Sequence, residues 1–201
     1  MNLESAPTQE INYAESLVKK QMIWWKRILN VQAPYRWNLR HLKPGFTLEI
    51  GCGIGRNLLH LKGEGVGLDH NIHSVKIARS RGLKAFTPEE FKATAYNTPG
   101  SFDSLLLSHV AEHLGKDQTV ELLKQYAPLL KPGGKLIIIT PQEVGYRSDS
   151  THQEFLDFEK IKKITKASGF AVFKEYSFPF PRVIGHFFFR YNEFVCVSSL
   201  N

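Results

Sequence analysis

The chain has 201 residues, 42% of them hydrophobic and 22% charged, with a formal net charge of +7 at pH 7. That is the balance of one soluble globular domain large enough for a real core. It has no apolar run of the roughly 18 residues a membrane span needs, its polar first ten residues are unlike a signal peptide, and its two cysteines make no disulfide framework.

These exclusions lead to an expected cytoplasmic, reducing location. The lysines and arginines are scattered over several helical segments, with no dense basic block interleaved with aromatics. The charge therefore reads as solubility, and a nucleic-acid partner is not expected.

Residues 1–10 read as disordered. From there Ile11, Ala14, Val18, Met22, Trp25 and Leu29 share one helical face, widened by Tyr13, Leu17, Trp24 and Ile28. Pro34 breaks the pattern, and residues 35–42 form a second short helix. Residues 1–44 are thus expected to be a helical extension, anchored by Trp24 and Trp25 on a domain spanning 45–201. Lys43-Pro44-Gly45 is a turn into a buried strand at Thr47-Leu48-Glu49-Ile50.

The stretch that follows organises the chain. Gly51, Gly53 and Gly55 stand at every second position, before a helix start at Asn57. A backbone without Cβ atoms turns sharply and lets a ligand lie against it, and a helix N-terminus offers unpaired N–H groups. The spacing is not that of a dinucleotide fingerprint, because Arg56 stands where the third glycine belongs. No Gly-Lys-Ser/Thr follows, so it is not a Walker loop. Glu49 is unwelcome beside a pyrophosphate and suits a ligand with a positive amino group and a sulfonium.

Val66 to Asp69 reads as a second strand with an acid at its C-terminal end, eighteen residues after Gly51. A carboxylate there can accept both hydroxyls of a ribose. Ile72, Val75 and Ala78 mark a helix that stops at Gly82, with Asn71 able to cap it. Leu83 to Phe86 is a third strand. Thr87-Pro88-Glu89-Glu90 is a capping box with proline at the first helical position. A fully buried fourth strand covers Phe102 to Ser108, and a helix starts at Asp117. Lys131-Pro132-Gly133-Gly134 is a turn, and Lys135 to Thr140 a fifth strand. Residues 141–155 form a polar loop, residues 157–168 an amphipathic helix that Gly169 ends. Residues 170–176 and 192–198 are the last two strands, too closely connected for a crossover helix and so antiparallel. The alternation predicts an α/β fold: a doubly wound, mostly parallel seven-stranded sheet with the last strand antiparallel and helices on both faces.

Glu49-Ile50-Gly51-Cys52-Gly53-Ile54-Gly55 resembles the first motif of class I S-adenosylmethionine-dependent methyltransferases. Leu129-Leu130-Lys131-Pro132-Gly133-Gly134-Lys135-Leu136 is similar to the turn before the fifth strand of that family, and the resemblance runs over residues 45–200. It implies S-adenosylmethionine as cofactor and S-adenosylhomocysteine as product. It implies that Gly51, Cys52, Gly53 and Gly55 lie under the methionine part, with Glu49 facing the amino group. Asp69, with His70 beside it, is implied to hold the ribose, Thr87 and Glu89 to flank the adenine, and Ser108 and His109 to border the cofactor. Lids in this family are commonly N-terminal helices, which implies the same role for residues 1–44.

His109-Val110-Ala111-Glu112-His113 also fits the His-x-x-Glu-His signature of a class of zinc proteases. Its position directly after a buried strand argues for a ligand-binding edge instead. Many class I methyltransferases carry a similar Glu-His pair there, and no metal site is expected. His109, His113 and His152 are the candidates for a catalytic base, with Tyr146 beside them; the alternative for Glu112 and His113 is that they only brace the loop. Thr151-His152-Gln153-Glu154-Phe155 resembles a segment of small-molecule methyltransferases.

Phe178-Pro179-Phe180-Pro181-Arg182 and His186-Phe187-Phe188-Phe189-Arg190-Tyr191 form an aromatic insertion before the final strand. Its prolines and glycine predict a loop, packed on the Trp24–Trp25 helix and partly lining an acceptor pocket. This tilts the acceptor towards a small molecule with an apolar part or a lipid-linked intermediate, and leaves room for transient membrane contact. The Asn/Asp-Pro-Pro-aromatic element of base-amine methylation is replaced by Ser108-His109-Val110-Ala111. The expected function is methyl transfer from S-adenosylmethionine. The alternatives are a non-catalytic binding module of the same fold, an NAD(P)-dependent oxidoreductase and, last, a zinc protease. The oligomeric state is not legible.

Overall fold

Glycine and proline placement sets where each element of this chain begins, as a computed structural model of residues 31–200 makes explicit. The expected disorder of residues 1–10 and the expected helix of residues 11–29, with Trp24 and Trp25, lie outside the described residues. The chain divides after Asn97 into two compact units, whose strands make a seven-stranded sheet.

In the first unit, helix α1 (Ala33–His41) carries Pro34 in its first turn, where the missing N–H has no partner to lose. The strands β1 (Thr47–Ile50), β2 (Gly65–Leu68) and β3 (Ala85–Phe86) lie in the order β3-β2-β1, all parallel. Every residue of β1 and β2 is buried, as expected of parallel strands covered on both faces. A Cβ on Gly67 would stand 2.7 Å from Cys52 Cβ and 2.8 Å from Leu58 Cδ1. Its absence lets helix α2 (Arg56–His60) press onto the sheet. Cys52, Leu58, Val75, Ala78, Leu83 and Ala85 close the core beneath.

Helix α3 (Ile72–Ser80) is capped by Asn71, whose Oδ1 accepts the N–H groups of His73 and Ser74. Helix α4 (Pro88–Lys92) has the full capping box: Thr87 Oγ1 accepts the Glu90 N–H at 3.2 Å, and Glu90 Oε2 accepts that of Thr87 at 2.9 Å. Strand β3 begins at Ala85 rather than Leu83. The Leu83 N–H still donates to the Ala78 carbonyl, and its side chain fills the core, so it belongs to the end of the helix.

In the second unit, β4 (Phe102–Ser108) and β5 (Leu130–Pro141) run parallel, connected through helix α5 (Lys116–Tyr126). Helix α6 (Glu143–Arg147), helix α7 (Phe158–Ala167), strand β6 (Phe170–Phe178), helix α8 (Arg182–Phe187) and strand β7 (Glu193–Leu200) follow. The order is β4-β5-β7-β6, and β7 runs against both neighbours. That is the expected sheet: mostly parallel, with the last strand reversed. Among the described residues no helix is long and apolar enough to cross a membrane.

Three expectations are corrected here. Residues 131–134 lie within β5 rather than before it, at an irregularity of the ladder, since Phe102 pairs with Leu130 and Ser104 already with Lys135. The polar loop of residues 141–155 contains α6, closed by the Tyr146 N–H on the Gln142 carbonyl at 2.7 Å. The aromatic insertion contains α8, where a loop was expected. Pro181 is its N-cap and stands outside the helix, so it removes no internal hydrogen bond. Gly185 is what the packing demands, because a Cβ there would run into Gln142 and Asn192.

Candidate active site

The first unit builds a polar cradle at the end of β1. Gly51 and Gly53 have φ of +74° and +53°, and Gly55, the N-cap of α2, has +80°. These left-handed values fold residues 51–55 back so that the N–H groups of Gly51 and Cys52 both reach the Leu68 carbonyl at 2.8 Å. Asp69 closes the same turn. Its Oδ2 accepts the Gly53 N–H at 2.7 Å and its Oδ1 the Asn71 N–H at 2.8 Å.

Glu49 lies beneath the turn, 1% exposed. Its Oε1 accepts from Asn57 Nδ2 at 2.7 Å, while Oε2 is buried with no hydrogen-bond partner. Burial pushes the carboxyl up to about 8, against the weaker pull of the Asn57 hydrogen bond and the Arg56 charge. A cation placed beside it would favour the ionised form and reverse that shift. Asn57 is not among the site residues expected from the sequence; its place, second in α2 and eight residues after Glu49, is the signal that marks it.

The other expected cofactor residues divide. Cys52 contributes only backbone, because its side chain is in the core and burial drives its thiol well above the usual range. Thr87 is engaged in its capping box, and His70 and Glu89 are exposed beside Asp69 and Thr87.

The second unit gathers the histidines. Ser108 ends β4, buried, and the next residue, His109, takes a left-handed φ of +56°. A single 3₁₀ turn, Ala111–His113, follows. The motif is therefore not on a helix, and its two histidines part company. His109 Nε2 meets Glu193 Oε1 at 2.8 Å, and Nδ1 lies 3.3 Å from Glu112 Oε1. Desolvation works against a charge on this ring, but the two carboxyl groups outweigh it and raise its pKa to about 9. At neutral pH His109 already holds its proton, so it suits positioning better than proton abstraction.

His113 turns the other way, to His152, with ring centroids 4.8 Å apart. The His152 ring stacks on Tyr146 at 5.2 Å, and its Nδ1 meets the Tyr146 carbonyl at 2.7 Å. The segment is fastened by the N–H groups of Gln153 and Glu154, both donating to the Glu112 carbonyl. Glu112, His113 and His152 thus form one cluster.

Residues 48–138 match a family model described as a methyltransferase domain. The chain is similar to that family over this stretch, 91 of its 201 residues. The glycine turn, Asp69, and the His109–His113 turn all fall within it. Over 148 residues the chain is 28% identical to a tRNA U34 carboxymethyltransferase of Pseudoalteromonas translucida, covering 62% of this chain and 45% of that protein. Over 102 residues it is 32% identical to a ubiquinone biosynthesis O-methyltransferase of Xanthomonas euvesicatoria, covering 47% and 42%. The chain thus spans under half the length of these relatives.

Among solved structures, a SAM-dependent methyltransferase of Thermotoga maritima, titled a possible histamine N-methyltransferase, superposes with a TM-score of 0.66 at 22% identity. The match covers 92% of this chain and 96% of that one, and shows the shared fold. S-adenosylmethionine is the cofactor of this class of domain. The first unit fits it: the orphaned Glu49 Oε2 is an acceptor for an ammonium, and the side-chain-free turn admits an extended ligand.

Proposed function

We propose that the chain methylates a small molecule with an apolar part, using S-adenosylmethionine. The observation that carries the reading is the buried, partnerless Oε2 of Glu49 beneath the Gly51–Gly55 turn. No anionic pyrophosphate would be drawn there; an amino acid's ammonium would. The sulfonium supplies an activated methyl group. The protein's part is alignment and exclusion of water.

In this reading Glu49 takes the ammonium, and backbone N–H groups of residues 51–55 line the methionine part. Asp69, each oxygen with a lone pair beyond its present bond, takes the ribose hydroxyls. Thr87, Glu89 and His70 flank the nucleoside, and Ser108 and His109 border the cofactor. His109, charged, orients; His113 and His152 remain the candidates to take a proton from the acceptor. Residues 1–44 act as a lid. The exposed Phe187 and Phe188 of the aromatic insertion favour an acceptor with an apolar part. Two buried free thiols, Cys52 and Cys196, suit a reducing, cytoplasmic setting.

The test is calorimetric titration with S-adenosylmethionine, S-adenosylhomocysteine and NAD. Saturable binding of the two sulfur nucleosides alone is expected. Binding of NAD alone overturns the reading in favour of an oxidoreductase. Cofactor binding without turnover across acceptor classes supports a non-catalytic module.

A further inference from the structure

We propose that Glu112, His113 and His152 hold a divalent transition-metal ion, zinc or ferrous iron. One potential ligand atom from each lies within 4.8 Å of the others. The Glu112 side chain is fully buried, and neither carboxyl oxygen has a hydrogen-bond partner. Buried carboxyl groups are ordinarily satisfied by donors, and an orphaned one demands an explanation. His109 Nδ1, 3.3 Å from Oε1, compensates that oxygen by charge, which leaves Oε2 with no donor or cation beside it.

The tautomers of both imidazoles are set for coordination. His113 Nδ1 faces two Thr151 atoms, the carbonyl oxygen at 3.1 Å and Oγ1 at 3.2 Å. The Thr151 hydroxyl already donates to Asp149 Oδ1 at 2.7 Å, so towards His113 it is an acceptor. Nδ1 therefore carries a hydrogen, and Nε2 is the ring atom available to a metal. His152 Nδ1 likewise donates to the Tyr146 carbonyl at 2.7 Å, so its Nε2, 4.0 Å from Glu112 Oε1, is the ring atom available to a metal. A ligating histidine normally donates its other ring N–H to a carbonyl or carboxylate in this manner. Here both do, and Asp149 extends the chain behind His113 through Thr151.

Two imidazoles and one carboxylate suit zinc with an open position, or ferrous iron. Zinc bonds of about 2.0–2.1 Å place ligand atoms roughly 3.4 Å apart, so the cluster contracts slightly on loading. The Glu112 carbonyl, clamped by the Gln153 and Glu154 N–H groups, keeps its two halves within reach. On the methyl-transfer reading above, the open position takes the acceptor's oxygen or nitrogen and lowers its pKa, so that its proton passes to solvent water. His113 and His152 then act as ligands, not as bases. Metal binding itself does not depend on that reading.

The test uses the full chain, stripped with chelator and without cofactor, titrated with zinc and separately with cobalt. Bound metal is read by mass spectrometry, and coordination by the visible absorption of cobalt. One ion per chain is expected, with affinity falling at least about tenfold in both Glu112→Gln and His152→Ala and unchanged in His73→Ala. Circular dichroism checks that each variant folds, and His113→Ala replaces any that does not. No stoichiometric binding, or binding that survives these variants, overturns the site. A protein that binds the sulfur nucleosides but no metal retains the methyltransferase reading and loses this one.

Discussion

Asp69 and Gly53 are joined by a 2.7 Å hydrogen bond from the glycine's N–H to the acid's Oδ2. The acid assigned to the ribose is therefore also the clasp of the glycine turn, and its second oxygen holds the Asn71 N–H at the start of α3. Hydrogen bonds to charged groups contribute about 1.5–3 kcal/mol each. Asp69→Ala should lose about 2–4 kcal/mol of stability by urea denaturation. Its affinity for S-adenosylmethionine should drop at least about tenfold by calorimetry, a loss on the scale of one charged hydrogen bond. Unchanged affinity in the folded variant would rule out the ribose assignment.

Glu49 makes stability pH-dependent. Its carboxyl is raised to about 8 in the folded chain from an ordinary 4.5, so between these values the folded state holds a proton that the unfolded state has released. The stability of the neutral carboxyl is full below pH 4.5 and is lost as pH rises through 8. Each unit of pH in that window is worth up to about 1.4 kcal/mol. Glu49→Gln should flatten this slope in denaturation curves taken at several pH values.

The same carboxyl should report cofactor binding. An ammonium beside it reverses the shift and expels the proton. Titrations with S-adenosylmethionine near pH 7, in buffers of different ionisation heat, should show proton release that Glu49→Gln abolishes. Equal heats in all buffers would place the amino group elsewhere.

Gly55 is doubly constrained, by φ of +80° and by Leu83 Cδ1 where a Cβ would stand, with Ala78 Cβ at 3.4 Å. A left-handed non-glycine residue costs about 1–2 kcal/mol and overpacking about 1–3 kcal/mol. Gly55→Ala should therefore lose about 2–4 kcal/mol. Gly82→Ala has a similar φ of +77° but open space around it, and should lose only the backbone part. Chemical denaturation of the pair separates the two contributions.

Asn192 pins the aromatic insertion. Its Oδ1 accepts the Phe180 N–H at 2.9 Å, and its Nδ2 donates to the Phe180 carbonyl at 2.8 Å and to Gln142 Oε1 at 2.9 Å. Asn192→Ala leaves three groups unsatisfied at about 1–3 kcal/mol each where they stay buried. Hydrogen exchange across residues 178–191 should accelerate well beyond the loss in global stability.

The strands were legible because alternating buried runs and helical periods repeat with clear glycine and proline punctuation. Asn71 and the Thr87–Glu90 box could be read locally because a cap needs only four residues. Helices α6 and α8 could not. Each is five or six residues long, too short for a period. They are held from outside, by contacts such as Arg182 Nη2 to Glu143 Oε1 at 2.8 Å. The candidate site was legible in part for the same reason. Glu49, the glycines and Asp69 are close in sequence, and their spacing carries information. The charge on His109 depends on Glu193, 84 residues away. The partnership of Glu112 with His152 depends on a backbone clamp no local pattern encodes.

Strand β7 lies between β5 and β6 and hydrogen-bonds both. It is also synthesised after both. While it is still unmade, β6 has no neighbour along its edges and β5 keeps one edge bare, the condition in which strands recruit foreign chains. Within the first unit β2 and β3 each pair with the strand just before them. On the ribosome the glycine turn and Asp69 can form early. The sheet that carries His109, Glu193 and the histidine cluster is completed by the last strand to emerge, and that interval is when the chain most needs protection.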